Sequence, residues 1–472
     1  MNRRKFFKNG SLAAIGASIL NPFDLTAGNQ NFDVSGKAKK AKNIIFLVSD
    51  GMSSGTLNMA DLYLNRKTGK GSNWIQLYKE NRVSRALMDM ASANSIVTDS
   101  SAASSSWGGG VRVPNGSLNV GANGETHLPI FQKFKLAGKM AGCVTTVPIT
   151  HATPAGFCVN SKSRNSQADI AEQYLKVKFD VMMGGGNQYF AADRRKDNKD
   201  LYAAYATNGY QVCKTRNEMM SATNEKPILG VFAEDAVPYY LDRNSDETLK
   251  NSTPSLAEMA QKAIDRMKSH PKGFVLQIES GKVDWAAHAN DIAGLIHDQI
   301  EFDEAIKVAL DFAEKDKETL VIITSDHGNA NPGVIYGKEA NAKFDSIQQY
   351  KNTNEWILNE IKTDSTVNKV REIIDFANGG TISEGDAKTV LNYYDGLHKE
   401  DGDLYNYKKL PFKTFAEMQK NANAVGWISM DHSADYVELA MFGPGSDLLK
   451  PFVKNTDLHY LMLEAAEVEN KF

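Results

Sequence analysis

The run Ile44-Ile-Phe-Leu-Val-Ser49, closed by Asp50-Gly51-Met52, decides the fold. It is apolar at consecutive positions, partly β-branched, and stops at turn residues. A strand that is apolar on both of its alternating faces needs cover on both sides, the condition of a parallel sheet between two helical layers. With Asn43–Val48, the runs Gly142–Val147, Val181–Met183, Phe274–Ile278, Leu320–Thr324 and Tyr436–Phe442 predict buried strands. Ile130–Met140, Gln167–Lys178, Ser255–Ser269 and Ile292–Glu314 carry apolar residues three and four apart and predict helices. This alternation gives an α/β fold with a mainly parallel central β-sheet flanked by helices on both faces. No internal repeat is visible.

Composition narrows the function classes. Apolar residues make up 42% and charged residues 24% of the chain, ordinary globular values that exclude a disordered, collagenous or disulfide-scaffold protein. A net charge of -3 argues against a protein that binds nucleic acid through a basic surface, although a bound cation could still serve phosphate chemistry. The 472 residues would allow about three domains on length alone. The interval 329–430 departs from the strand–helix alternation. It is polar, rich in Lys, Asn and Asp, with helical pieces at Glu355–Lys362, Val367–Phe376 and Glu384–Tyr393. An inserted, mostly helical subdomain is expected there, within an α/β domain spanning 28–472.

Residues 1–27 hold Asn2-Arg-Arg-Lys-Phe-Phe-Lys8, an apolar run from Ser11 to Leu20, and Leu25-Thr26-Ala27. These are the regions of a twin-arginine signal peptide, in order. The apolar run is too short for a bilayer, and no later run reaches the roughly 18 apolar residues of a spanning helix. A periplasmic or secreted protein without a membrane anchor is expected. Cys143, Cys158 and Cys213 match no metal spacing. Buried thiols are expected, although an oxidising compartment would permit one disulfide.

Ligand-type side chains stand where strand runs end: Asp50, Glu279, and the pair Asp326-His327. Open α/β sheets place their sites at the carboxyl ends of strands. Asp284 and His288 are four apart, which on a helix puts both on one face, suited to one ion. Ser100 lies in Val97-Thr-Asp-Ser-Ser-Ala-Ala-Ser-Ser-Ser-Trp107, which reads as a strand end passing into a helix start. Free N–H groups and the helix dipole there favour an alkoxide and a bound phosphate. The same pattern suits a plain Ser-rich N-cap, and Ser101 is a rival nucleophile.

Together these segments resemble the alkaline phosphatase family. The carrying stretches are Val48-Ser-Asp-Gly-Met52, Val97-Thr-Asp-Ser100, Thr150-His-Ala-Thr-Pro-Ala155, Glu279-Ser-Gly-Lys-Val-Asp-Trp-Ala-Ala-His288, Ser325-Asp-His327 and Asp431-His432, in the family's order. The resemblance implies an alkaline-phosphatase-like fold, a homodimer, and hydrolysis of phosphate monoesters with two zinc ions and one magnesium. It implies that Ser100, rather than Ser101, is the nucleophile that becomes a phosphoserine. Asp284, His288 and His432 correspond to the ligands of one zinc. Asp50, Asp326 and His327 correspond to those of the other. Asp50, Thr153 and Glu279 correspond to those of the magnesium. Arg164 corresponds to the phosphate-binding arginine, with Lys162 its nearest rival.

The ligand types agree independently. Two histidines and a carboxylate leave room on zinc for water or substrate. The Asp, Thr and Glu oxygens suit octahedral magnesium. His151 stands where some members of the family carry Asp, and Trp285 where some carry Lys. His151 would either touch the third metal or, the reading we favour, support it by a hydrogen bond. Trp285 has no ammonium to offer, which implies weaker phosphate binding. Both are expected beside Arg164, around the substrate. The alternatives are a phosphodiesterase or mutase of the same superfamily, and a non-catalytic phosphate- or metal-binding protein.

Overall fold

The computed structural model describes residues 40–399 and 404–471. The expected signal peptide at 1–27 lies outside the described residues. Among the described residues ten strands form one sheet. In chain order they are β1 (Asn43–Ser49), β2 (Ser84–Asp89), β3 (Met140–Pro148), β4 (Val181–Gly185), β5 (Gln211–Cys213), β6 (Ile228–Val231), β7 (Phe274–Ser280), β8 (Thr319–Ser325), β9 (Val437–Phe442) and β10 (Phe452–Lys454). Their order across the sheet is β10-β2-β9-β8-β1-β7-β3-β4-β6-β5. β9 runs antiparallel to both neighbours, β2 and β8, and the other pairings in this sheet are parallel. The six strands expected from the sequence are present, and β2, β5, β6 and β10 join them.

Every residue of β1 is buried. Alternate side chains leave a strand on opposite faces. Ile45 and Leu47 therefore enter one core, with the helices Leu256–Met267 and Ile292–Asp316. Ile44, Phe46 and Val48 enter a second core, with the helices Ser100–Gly109, Ile130–Leu136 and Ala152–Cys158. This is the two-faced cover that the run Ile44–Val48 demanded. The three cysteines are free and buried in these cores.

The parallel register puts the ligand-type residues on one edge. Val48 lies opposite Glu279 on β7 and opposite Thr324 on β8. Asp50, Glu279 and Asp326 therefore leave three adjacent strands at the same end. The expectation at Ser100 needs correcting. β2 stops at Asp89, and residues 90–99 are an irregular connection, so Ser100 opens its helix after a loop and not after a strand. Ser92 Oγ donates to Asn94 Oδ1 at 3.1 Å and accepts from Ser95 N at 3.1 Å. Such local side-chain bonds compete with a sheet ladder for the backbone.

Between 329 and 430 the chain leaves the sheet and returns to the same place. Asn329 pairs with His432, and Val334 with Val425, in two short antiparallel ladders. The excursion contains the helices Asn354–Glu360, Val367–Asn378, Glu384–Leu391 and Phe412–Asn423. Ile357, Leu358, Val370, Ile374, Val390 and Phe415 form an apolar cluster of their own. Phe344 and Ile347 pack instead into the first core. No helix among the described residues is long and apolar enough to cross a membrane.

Candidate active site

Two close approaches build the site. Gly51 has φ +65°, a left-handed conformation that glycine adopts without penalty. A Cβ there would lie 2.9 Å from Asp284 Cα, so glycine lets the β1 turn meet the Lys282–His288 helix. At Gly156 a Cβ would lie 2.0 Å from Ser104 Oγ. This contact draws together the helices that begin near Ser100 and Thr153.

Among the described residues, three groups of possible metal ligands result. Asp284, His288 and His432 form one, Asp50, Asp284 and His327 a second, and Asp50, His151 and Glu279 a third. In each, the ligand atoms lie within 4.8 Å of one another. Asp284 and Asp50 are each shared, so the groups form one continuous cluster. In the first, Asp284 Oδ2 lies 3.4 Å from His288 Nε2, and Asp284 Oδ1 3.5 Å from His432 Nε2. In the second, His327 Nε2 lies 3.5 Å from Asp50 Oδ1, and Asp284 stands where Asp326 was expected; Asp326 lies outside the group, with its Oδ2 3.2 Å from His327 Nε2. Thr153 Oγ1 reaches Asp50 Oδ2 at 3.4 Å, beside the third.

Backbone carbonyls aim two of the rings. His288 Nδ1 lies 2.6 Å from Met430 O, and His432 Nδ1 lies 3.0 Å from Thr98 O. A carbonyl can only accept, so Nδ1 carries the proton and Nε2 faces Asp284. The His327 and His432 rings stack with centroids 3.6 Å apart.

Ser100 Oγ sits 3.3 Å from His327 Nε2 and is almost fully buried. Asp99, not a serine, is the N-cap of its helix, accepting from Ala102 N at 2.9 Å. Ser101 turns away and donates to Asp99 Oδ2 at 2.7 Å. Arg164 Nη1 donates to Asp99 Oδ2 at 3.1 Å, and Arg164 Nη2 lies 3.1 Å from His151 Nε2. Lys162 is exposed. Trp285 packs edge-on to His151, with centroids 6.3 Å apart. The structure thus brings the expected ligands, Ser100, Arg164, His151 and Trp285 together near the ends of β1, β7 and β8, and leaves out the rivals Ser101 and Lys162.

A family model for alkaline phosphatase matches residues 41–468. The chain belongs to the alkaline phosphatase family. It is 30% identical over 422 residues to alkaline phosphatase 4 of Bacillus subtilis, covering 88% of this chain and 87% of that protein. It is 32% identical over 336 residues to the alkaline phosphatase of Escherichia coli, covering 62% of this chain and 71% of that protein. Its fold is similar to the crystal structure of Thermus thermophilus alkaline phosphatase, with TM-score 0.84 and 33% identity over 91% of this chain and 92% of that one. The protein is therefore a phosphomonoesterase, a hydrolase.

The electrostatics of this alkaline phosphatase site fit cations. Burial, followed by repulsion from Asp326, Asp284 and Glu279, holds Asp50 well above the usual carboxylate range. Burial also lifts Asp326 to about 8 and Glu279 to about 7. Asp284 goes the other way: burial would raise it, but His288, His432 and His327 together hold it low. Burial opposes charge on His288 too, yet Asp284 and the Met430 carbonyl bring it to about 9. His151 falls to about 3, through burial first and then Arg164, so it stays neutral and accepts from that arginine. Asp50 Oδ1, Glu279 Oε1 and Asp326 Oδ2 are buried oxygens that receive no hydrogen bond among the described residues. Buried carboxylates left this way are expensive unless paired or bound to metal.

Three supporting residues escaped the sequence reading. Asn329 Nδ2 donates to Asp284 Oδ1 at 2.7 Å and lies 3.3 Å from the Asp284 carbonyl. Thr145 Oγ1 donates to Glu279 Oε2 at 2.5 Å. Asp99 both caps the Ser100 helix and holds Arg164. Only Asp99 had a local signal, an acidic residue immediately before a helix start. Asn329 and Thr145 have none.

Proposed function

We propose that this alkaline phosphatase hydrolyses phosphate monoesters through a covalent phosphoserine at Ser100, with two zinc ions and one magnesium. Asp284, His288 and His432 would hold one zinc, and Asp50, Asp326 and His327 the other. Asp50, Thr153 and Glu279 would hold magnesium. When bound, these cations supply the positive charge that favours the serine alkoxide, the leaving alkoxide and a hydroxide nucleophile. The observation that carries this reading is Ser100 Oγ at 3.3 Å from His327 Nε2, at a helix N-terminus against the ligand group of Asp50, Asp284 and His327.

Ser100 Oγ gives up its proton to solvent and, as the alkoxide, attacks phosphorus in line with the ester oxygen. The P–O bond to the alcohol breaks, and the alkoxide takes a proton from solvent. A hydroxide then attacks the phosphoserine from the vacated side, the P–Oγ bond breaks, and inorganic phosphate leaves. The planar fork of Arg164 is suited to two non-bridging oxygens, and Asp99 and His151 hold that fork in place. His151 thus acts on the substrate side through Arg164, while its carboxylate neighbours put it within reach of the third ion. The transition state is loose, so positioning and charge do most of the work. A hydroxide nucleophile goes with an alkaline optimum.

Export by the twin-arginine route, a homodimeric assembly and a flanking role for the 329–430 subdomain complete the proposal. The leader pattern at residues 1–27 supports the first. The test compares p-nitrophenyl phosphate with its bis-ester, with and without chelator. The monoester should turn over faster, chelation should stop it, and zinc with magnesium should restore it. Turnover that survives exhaustive chelation would refute the metal assignment.

A further inference from the structure

A cleft of 380 Å³ opens beside the ligand cluster. Trp285 and His288, on the Lys282–His288 helix, form one wall. Leu404, Tyr407 and Leu410, from the excursion, form the other. The cleft and the site share His288, whose Nε2 is 3.1 Å from His432 Nε2. They also share Trp285, which packs on His151 next to Arg164. The cleft therefore adjoins the ligand cluster at His288 and the His151–Arg164 pair at Trp285.

Its chemistry differs from that of the cluster. Leu404 is 51% and Tyr407 38% exposed, large side chains left open at the mouth of a polar site. Pockets that hold organic ligands have this make-up: apolar walls and a few polar groups at one end. The charges on its margin are carboxylates. Glu355 is 3.9 Å from Lys282 Nζ, and Asp235 accepts from Gln188 Nε2 at 2.9 Å. Lys282 is buried, its ammonium 3.5 Å from the Tyr239 ring centroid and 5.1 Å from that of Trp285. The open face thus offers apolar surface with two carboxylates on its margin, whose charge the single buried ammonium of Lys282 offsets only in part.

We infer that this cleft holds the alcohol part of the phosphate monoester and selects uncharged apolar alcohols, aromatic ones above all, over small or anionic ones. The inference rests on the proposed function: with Ser100 on one side of phosphorus, the in-line ester oxygen points to Asp284, His288 and His432, and its carbon substituent continues into the cleft. Anionic alcohols would meet Glu355 and Asp235. The shared chemical step leaves kcat less informative than kcat/KM, which reports transition-state binding of the whole ester.

The test uses the metal-loaded full chain and compares kcat/KM for 2-phenylethyl phosphate with that for ethyl phosphate. Their leaving alcohols are of similar basicity, so the ratio reports the ring. Wild type should favour the phenylethyl ester by about tenfold, the scale on which an apolar pocket discriminates. In Leu404→Ala and in Tyr407→Ala the ratio should fall toward one, through loss on the phenylethyl arm. A wild-type ratio near one would overturn the inference. So would a variant that slows both esters equally, which is what a purely structural role would produce. An ester carrying a carboxylate para on the ring should react several-fold more slowly than the parent, and equal rates would overturn the exclusion of anions. A wild type that hydrolyses neither parent ester would instead overturn the underlying phosphatase reading, and this inference with it.

Discussion

Asn329→Ala tests how the ligand cluster is held. Asn329 is fully buried, and its Nδ2 donates to Asp284 Oδ1 at 2.7 Å. Asp284 belongs to two of the three ligand groups. A hydrogen bond to a charged group contributes about 1.5–3 kcal/mol. At about 1.4 kcal/mol per tenfold, that corresponds to roughly 10- to 150-fold in affinity. Losses on removing residues that orient metal ligands fall at about 10- to 100-fold. The two scales agree, so zinc binding at the group holding Asp284, His288 and His432 should weaken by about 10- to 100-fold. The assay is zinc titration of metal-free protein against a chelator of known affinity. Magnesium binding, through Asp50, Thr153 and Glu279, serves as the control, because Asn329 makes its side-chain bond to Asp284 alone among the ligands. Urea midpoints of the metal-free forms separate any general loss of stability. A zinc change below about threefold, where the bond should matter tenfold or more, would refute the reasoning.

Two further outcomes follow from the same geometry. Trp285→Lys should tighten inhibition by inorganic phosphate, by about tenfold if the ammonium reaches the phosphoryl oxygens, because Trp285 stands next to the His151–Arg164 pair; no tightening would count against that placement. Asp291 accepts from Gly294 N and Asn354 N at 3.0 Å and 2.6 Å, yet burial, with Asp242 nearby, lifts it from 3.8 to about 7. Between those values the folded state keeps a proton that the unfolded chain has lost, so this group's contribution to stability falls as pH rises. Asp291→Asn removes the titration. From about pH 4 to about pH 8 the stability of the variant relative to wild type should therefore rise, by more than the roughly 1.4 kcal/mol of one pKa unit. Urea midpoints that stay parallel across that range would contradict the shift.

The legible parts of the fold were those whose side chains are buried on both faces. β1, β7 and β8 are buried throughout; β1 and β8 read as continuous apolar runs between polar ends, and β7 as a run interrupted at Gln277. β2 buries only Ala86 and Met88, while Arg85 and Leu87 face out, so its pattern is too mixed to stand out. β5 is three residues long, too short for any period to show. In the site, the Asp284–His288 spacing carried its own meaning, because a helix puts residues four apart on one face. His432 did not. It reaches the cluster through its pairing with Asn329 across the whole excursion, a contact with no local signature. Ser100 and Ser101 were equivalent as neighbours in a serine run. What separates them is tertiary: Asp99 takes the Ser101 hydroxyl, and His327 faces that of Ser100.

The central claim is that Ser100 carries the phosphoryl group between substrate and water. The most direct measurement is an acid quench of the metal-loaded enzyme during turnover of p-nitrophenyl phosphate, followed by peptide mass spectrometry. One phosphoryl group is expected on Ser100, and none in Ser100→Ala, which should also lose turnover. A phosphoryl group found on Ser101 or elsewhere, or full turnover by Ser100→Ala, would contradict it.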